Sequence, residues 1–130
     1  MFSQSVRDNI LFGREYEEDL YKEVIRACCL EEDLKQLDYG DQTIVGERGV
    51  TLSGGQKARL SLGRAIYSQS DIYLLDDPMA AVDSRVAKII FEKTLKGHLG
   101  GKTVLLVTHH LSFAKQSDHL IVMDEGSLVC

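Results

Sequence analysis

The chain has 130 residues, of which 44% are hydrophobic and 27% are charged. This length and composition are typical of one globular domain with a buried core, and they exclude a disordered or fibrous chain. The formal net charge of −5 argues against a nucleic-acid groove. No apolar run approaches the roughly 18 residues that a membrane span needs, and the N-terminus shows no signal-peptide pattern.

The cysteine content is three, and Cys28 and Cys29 are adjacent on a predicted helix. An odd number of cysteines does not form a disulfide framework on its own. We interpret these residues as reduced thiols that serve as small apolar side chains in a cytosolic domain.

The first part of the chain is predicted to be mainly helical. For Met1–Gly13 the purely structural alternative is a capped turn that packs Ile10, Leu11 and Phe12 on a core. From Glu17 to Cys29, apolar residues recur at helical spacing, and acidic residues in the first turn suit the helix dipole. A shorter helix is predicted over Glu31–Leu37. The segment Asp38–Val50 contains three glycines and is predicted to be a turn-rich loop.

A glycine pair stands at the start of the next predicted helix, in the run Leu52-Ser53-Gly54-Gly55-Gln56 before an amphipathic stretch that ends at about Ser68. Adjacent glycines let the backbone approach a ligand closely, and the helix start directs free N–H groups outward, which is the geometry of a phosphate site. Ser53 and Gln56 also match the S-x-x-Q capping box. The alternative is therefore a well-capped helix start whose polar residues serve only the backbone.

A continuous apolar run, Ile72–Leu75, follows and ends in Asp76-Asp77-Pro78. Such a run predicts a strand that is covered on both sides in a parallel sheet. Open α/β sheets place their ligand chemistry at the carboxyl ends of their strands. Four apolar residues followed by Asp form the Walker B pattern, in which the Asp holds Mg²⁺. The alternative is a pair of acids that flank a turn.

A second strand is predicted at Thr103–Val107, leading to His109. Before it, Asp83 is a suitable N-cap for a helix predicted over Ser84–Lys96. If the two strands are parallel, His109 projects to the same sheet edge as Asp77. The alternative is a histidine with a structural role.

The C-terminal part is predicted to contain a short helix at about Ser112–Lys115 and a third strand at His119–Met123. A turn at Glu125-Gly126 and the start of a fourth strand at Ser127–Cys130 follow. The segment Gly97–Thr103 superficially matches a P-loop. It has three residues between its glycines where G-x-x-x-x-G-K-T has four, and it leads into a strand rather than a helix. We interpret it as a helix-to-strand turn.

The run from Gly46 to Arg59 contains the signature of ATP-binding-cassette (ABC) ATPases, and the chain closely resembles the nucleotide-binding domain of ABC exporters. The resemblance covers nearly all 130 residues and is strongest to the first such domain of multidrug-resistance-associated (C-subfamily) transporters. Val6–Gly13 matches the family's N-I-x-F-G segment, and Ala80–Asp83 matches its D-loop. The implied fold is α/β and P-loop NTPase-like (RecA-like), with a mostly parallel sheet core. A helical subdomain would occupy about 14–70, and the Walker B to H-loop part of the core would occupy 71–130.

The resemblance also implies roles for individual residues. The signature residues would contact ATP held by a second nucleotide-binding domain in a head-to-tail pair; they are Leu52, Ser53, Gly54, Gly55 and Gln56. Asp76 would hold Mg²⁺, Asp77 and His109 would be catalytic at this domain's own ATP, and Ala81 and Asp83 would belong to the D-loop. Most members have Glu at the position of Asp77, where it is the general base. In having Asp at this position, the chain resembles the first domains of the C subfamily, whose own site hydrolyses ATP poorly.

The expected function is part of the ATP-binding and ATP-hydrolysing domain of an exporter, with ATP and Mg²⁺ as cofactors. The expected partners are a second nucleotide-binding domain and transmembrane domains, without nucleic acid, at the cytoplasmic side of a membrane. The P-loop, an adenine-binding aromatic and the Q-loop glutamine are not recognised in these residues, so we expect this partial domain to be inactive in isolation. One alternative is a regulatory nucleotide-binding domain of a channel or receptor. Another is a DNA-repair or chromosome-maintenance ATPase, which would need a coiled coil and a basic surface that the sequence does not show.

Overall fold

The computed structural model describes residues 1–129. The strands of these residues are β1 (Gln4–Ser5), β2 (Ile44–Val45), β3 (Ile72–Asp76), β4 (Thr103–Val107), β5 (Met123–Asp124) and β6 (Ser127–Leu128). The α-helices are α1 (Val6–Leu11), α2 (Glu18–Ala27), α3 (Glu31–Gln36), α4 (Gly54–Tyr67), α5 (Ser84–Ile90) and α6 (Leu111–Ala114). A 3₁₀ turn lies at Gly40–Gln42 and a π-helix at Phe91–His98. The fold is therefore mixed α/β.

Helix α4 is the central element of the helical part and packs on α1 and α2. Its Gly63 lies close to the side chains of Val24 and Ile10, because it has no side chain of its own. Arg64 ties α4 to α1: its Nε donates to the Asn9 carbonyl at 2.7 Å and its Nη2 to the Asn9 Oδ1 at 2.9 Å. These contacts fix the signature helix on a rigid base.

Tyr67, at the end of α4, holds the loop that precedes α2. Its hydroxyl accepts a hydrogen bond from the Glu17 N–H at 2.8 Å and donates one to the Glu15 carbonyl at 2.7 Å. Tyr67 is buried, and its hydroxyl is satisfied by backbone groups both as a donor and as an acceptor, as buried polar groups usually are. The predicted helices of this part match α2 and α3 to within two residues at each end, whereas α4 begins at Gly54, three residues before the predicted amphipathic stretch.

Strands β3 and β4 are parallel neighbours, with Leu74 opposite Leu105 and Asp76 opposite Val107. One face of the pair carries Tyr73 and Leu75 into the core. The other face is bare: it consists of Ile72, Leu74, Leu105 and Val107, each more than half exposed. The prediction that the Walker B strand is covered on both sides is therefore wrong for residues 1–129, because these residues supply a layer on one side only.

The sheet expected as mostly parallel is not formed within residues 1–129. They contain three two-stranded sheets, of which β3–β4 is parallel and the other two are antiparallel. The pairing of β1 with β2 was not predicted, and it places a short strand inside the segment interpreted as a loop. Phe12 was expected on the core but is 58% exposed, in contrast to the fully buried Ile10.

The predicted helix Ser84–Lys96 forms, but it changes from α5 to the π-helix at Phe91. Within the π-helix, Thr94 is completely buried and donates its hydroxyl to the Ala27 carbonyl at 2.9 Å. The strand predicted at His119–Met123 is wrong in extent, since β5 begins only at Met123.

The last hairpin of the described residues turns at Glu125-Gly126, as predicted. Both residues have positive φ, 46° and 78°, which is the requirement of a tight turn between antiparallel strands. The predicted fourth strand is present at Ser127–Leu128, and Cys130 lies outside the described residues.

Candidate functional site

The signature turn forms the capping box that the sequence predicts. The Ser53 Oγ accepts a hydrogen bond from the Gln56 N–H at 3.2 Å, and the Gln56 Oε1 accepts one from the Ser53 N–H at 2.8 Å. Ser53 and Gly54 remain exposed, whereas Leu52 is buried and anchors the approach to the turn. The capping interpretation is thus correct, and it is compatible with a ligand because the outer side of the turn is open.

The two signature glycines lie against the D-loop. A Cβ at Gly55 would stand 2.9 Å from the Ala81 carbonyl oxygen, and one at Gly54 would stand 3.4 Å from the Ala81 Cβ. Real Cβ atoms do not approach a backbone oxygen as closely as the first of these distances, so position 55 requires glycine in this packing. Sequence reasoning did not predict this contact between the signature and the D-loop.

The D-loop is held at both of its ends. Met79 is completely buried, and the Ala80 N–H donates to the Asp77 carbonyl at 3.1 Å. At the other end, Asp83 caps α5, with its Oδ1 accepting from the Val86 N–H at 3.0 Å, as predicted. The D-loop therefore connects the Walker B strand rigidly to the face of the signature.

Asp76, Asp77 and His109 lie at one edge of the β3–β4 pair. The parallel ladder extends past Asp76, because the Asp77 N–H donates to the Val107 carbonyl at 2.9 Å. His109 follows Val107 by two residues, and its Nε2 is 4.0 Å from the Asp77 Oδ2. This distance is too long for a direct hydrogen bond and suits a bridging water. The predicted meeting of these side chains at one sheet edge is confirmed.

Asp77 has two further unusual properties. Its φ is +41°, in the left-handed region that aspartate tolerates better than most residues other than glycine and asparagine. Its Oδ1 is buried and has no hydrogen-bond partner within the described residues. A buried carboxylate oxygen without a partner is costly, and the second oxygen of Asp77, Oδ2, is the one that faces His109.

The donor set at this edge suits Mg²⁺. Carboxylate oxygens are the ligands that Mg²⁺ prefers, and the ion needs only one or two of them when phosphates and water complete its shell. Asp76 is exposed and directly precedes Asp77 in the chain. Residues 1–129 contain no group of three or more His, Cys, Asp or Glu side chains that could hold a metal ion by themselves.

The remaining sequence features have structural roles. Lys102, in the P-loop-like segment, pairs with Asp71 at 2.8 Å, and Gly101 turns the chain with φ +83° before β4. The interpretation of this segment as a helix-to-strand turn is therefore confirmed. Burial raises the pKa of the Cys28 and Cys29 thiols, so both are neutral thiols near pH 7.

Sequence reasoning missed Asp33 and Arg59. The Asp33 carboxylate accepts hydrogen bonds from the Gln56 Nε2 at 2.9 Å and from the Arg59 Nη2 at 3.1 Å, with a second contact to Arg59 Nη1. Asp33 and Arg59 are 26 residues apart in the chain. No local pattern in the sequence indicates such a contact.

Comparison with known proteins gives a consistent result. A sequence model of the family described as "ABC transporter" matches residues 1–80. The chain is 50% identical over 129 residues to "ATP-binding cassette sub-family C member 4" of Mus musculus, which covers 99% of this chain and 10% of the relative. It is 52% identical over 129 residues to "ABC transporter C family member 13" of Dictyostelium discoideum, with the same coverage. "ATP-binding cassette sub-family C member 10" of Homo sapiens is 50% identical over 125 residues, or 96% of this chain and 8% of the relative.

The chain thus spans about a tenth of the length of the curated relatives it matches. A further relative is named "Probable multidrug resistance-associated protein lethal(2)03659", from Drosophila melanogaster, at 50% identity over 128 residues, 98% of this chain and 9% of the relative. In the described part of the chain, every helix is too short or too polar to cross a bilayer.

Proposed function

The chain belongs to the ABC transporter family, and from this premise we propose that it is part of the ATP-hydrolysing domain of a multidrug-resistance-associated exporter. It would lie at the cytoplasmic side of the membrane and couple ATP binding and hydrolysis to transport. Its partners would be transmembrane domains and a second nucleotide-binding domain. Its fold would be the C-terminal portion of a P-loop NTPase-like core with its helical subdomain.

The observation that carries this proposal is the grouping of Asp76, Asp77 and His109 at the carboxyl edge of β3–β4, with the Asp77 Oδ2 and the His109 Nε2 4.0 Å apart. Two carboxylates and an imidazole at this edge are suited to a phosphate group with a bound cation. A purely structural histidine would be expected to be buried or hydrogen-bonded, whereas the His109 side chain is 90% exposed.

In the proposed reaction, ATP is the substrate and its γ-phosphoryl group passes to water, with positioning and charge stabilisation supplying most of the catalysis. The Asp77 carboxylate would orient a water through its Oδ2, the oxygen that faces His109. The exposed imidazole of His109 would donate a hydrogen bond to a phosphate oxygen. Asp76 would hold Mg²⁺, which neutralises phosphate charge when it is bound.

The signature would serve a different ATP, the one held by the partner domain in a head-to-tail pair. Ser53 and Gly54 are exposed at the start of α4, where free N–H groups and the positive end of the helix dipole favour an anion. Leu52 and Gln56 would fix the turn, and Gly55 would allow the D-loop to approach through Ala81.

A second candidate function is a regulatory nucleotide-binding domain with little hydrolysis, and Asp77 is the observation that favours it. A carboxylate one methylene shorter than glutamate holds a water less well placed for attack. The DNA-repair alternative receives no support from the names of the relatives above: one is named an ABC transporter and another a probable multidrug resistance-associated protein.

The test is Gly54→Asp in the complete transporter, read out by trapping of labelled nucleotide at each site separately. The carboxylate would face the partner's γ-phosphate, and we expect at least about a tenfold loss of trapping at the partner's site from like-charge repulsion. The variant should fold, because an acid in the first turn suits the helix dipole and the nearest contact of a new Cβ is 3.4 Å.

Gly54→Asn is the matched control, since it has the same shape without the charge. It should retain more trapping than Gly54→Asp. Unchanged trapping at the partner's site in Gly54→Asp would refute the head-to-tail assignment. If the wild-type transporter traps nucleotide at this domain's own site but turns none of it over, the regulatory candidate is correct.

A further inference from the structure

The carboxylate of Asp33 links helix α3 to the signature turn. It accepts hydrogen bonds from the Gln56 Nε2 at 2.9 Å and from both terminal nitrogens of Arg59. The Asp33 side chain is 18% exposed and that of Arg59 is 14% exposed, so solvent screens this pair less than a surface ion pair.

The Gln56 amide has two different ends, and Asp33 determines which way they point. Its Oε1 accepts from the Ser53 N–H at 2.8 Å, while its Nε2 donates to Asp33. The flipped amide would place an NH₂ group against the Ser53 N–H and an oxygen against a carboxylate. Both new contacts would be repulsive, so only the observed orientation closes the capping box.

The Ser53 side chain belongs to the same capping box through the Gln56 backbone. Its Oγ accepts a hydrogen bond from the Gln56 N–H, which leaves the single O–H donor of this exposed side chain free to point away from the helix. Arg59 contacts the same turn, since its Nε donates a hydrogen bond to the Gly55 carbonyl at 3.3 Å. Its Nη1 donates to the Cys29 carbonyl, which connects the turn to the end of α2.

We propose that Asp33 is a positioning residue for the signature: through the Gln56 amide and the Arg59 guanidinium, its carboxylate fixes the Ser53 hydroxyl and the Gly55 backbone toward the nucleotide held by the partner domain. This inference rests on the function proposed above. Asp33 does not contact the nucleotide, and its effect passes through the hydrogen bonds of the turn.

The experiment is a charge exchange in the complete transporter. Asp33→Asn removes the carboxylate from Gln56 and Arg59, and Gln56→Glu places a second carboxylate against the first. In Asp33→Asn/Gln56→Glu, the new amide can donate to the new carboxylate, which can still accept from the Ser53 N–H. Glu32→Gln is the matched control, because Glu32 is on the same helix and pairs only with the exposed Lys35.

Two measurements are made on each variant: hydrogen exchange of the amides of residues 53–56, and the ATP dependence of nucleotide trapping at the partner's site. Both single variants should exchange roughly tenfold faster and need roughly tenfold more ATP for half-maximal trapping. The double variant should recover most of both effects, and the control should match the wild type. Trapping at this domain's own site should change by less than about twofold, since Asp76, Asp77 and His109 are not part of the network.

Unchanged exchange in Asp33→Asn would overturn the proposal, and so would a double variant that is no better than either single variant. The Gly54→Asp experiment separates this proposal from the one on which it rests. If Gly54→Asp leaves the partner's site unchanged, the proposed function fails. If Gly54→Asp abolishes trapping there but Asp33→Asn does not weaken it, the positioning role alone fails.

Discussion

Replacing glycine by alanine is expected to have opposite effects on stability at two positions of helix α4. A Cβ at Gly63 would meet Val24 Cγ1 at 3.4 Å and the Cys28 Sγ at 3.7 Å, which are ordinary van der Waals contacts. A Cβ at Gly55 would meet the backbone oxygen of Ala81 at 2.9 Å, which requires the D-loop or the helix to move. Gly63→Ala should therefore stabilise the fold, and Gly55→Ala should destabilise it.

The magnitudes follow from helix propensity and packing. Alanine in a helix interior is favoured over glycine by about 1 kcal/mol, and a buried methyl group adds up to about 0.8 kcal/mol. For Gly63→Ala we expect about 1 to 1.5 kcal/mol of added stability, because the new methyl group is buried in contact with α2. Overpacking costs about 1–3 kcal/mol, and the gain in propensity is smaller in the first turn, so Gly55→Ala should lose about 1–2 kcal/mol.

The assay is urea denaturation of the chain, followed by circular dichroism, with thermal unfolding as a second probe. At about 4 °C per kcal/mol for a domain of this size, the two variants should melt roughly 8–14 °C apart. Ser61→Ala, at an exposed position of the same helix, reports the propensity contribution without packing. The reasoning is refuted if Gly63→Ala is less stable than the wild type, or if Gly55→Ala is as stable as Ser61→Ala.

Three other predictions concern the site and its support. Asp77→Glu in the complete transporter extends the carboxylate by roughly 1.5 Å, a distance that can change a rate about a hundredfold. We therefore expect faster hydrolysis at this domain's own site. Equal turnover of the wild type and the variant in site-resolved trapping would contradict this prediction. The 130-residue chain alone should show no micromolar MgATP binding in titration calorimetry, because a P-loop is not recognised in it. Tyr67→Phe removes the hydrogen bonds to Glu15 and Glu17 and should cost about 1–3 kcal/mol in urea denaturation, whereas a loss below about 0.5 kcal/mol would show that water replaces them.

The features that the sequence predicts correctly depend on short-range patterns. The capping box of Ser53 and Gln56 and the N-cap at Asp83 each involve residues three apart, so their chemistry is visible in the chain itself. The meeting of Asp77 and His109 required one further step, the parallel pairing of two strands with similar apolar runs. Asp77 and His109 follow the ends of β3 and β4, and parallel pairing brings these two ends to one edge.

The features that it does not predict depend on contacts between distant segments. Asp33 lies on a short helix with acids at three successive positions, and nothing in that run distinguishes it from its two exposed neighbours. The D-loop contact with Gly55 is equally invisible, because a glycine pair is explained just as well by a turn as by a close approach of backbone. If these contacts position the signature as proposed, the positioning of the site is less predictable from the sequence than its chemistry.

The bare face of β3–β4 is a place where the burial predicted from the sequence and the observed burial differ. The apolar run of the Walker B strand predicted two covering layers, and the described residues supply one, leaving Ile72 and Leu74 exposed at 64% and 74%. The sequence thus predicts that both faces of this strand are buried, and residues 1–129 cover only one of them. A strand that holds Asp76 and Asp77 at its end, but is covered on one side, has fewer contacts to resist local opening. The geometry of the edge that carries Asp76 and Asp77 should therefore be sensitive to any layer that covers this face, whereas the signature turn, held by Asp33, Arg59 and the packing of α4, should be formed already.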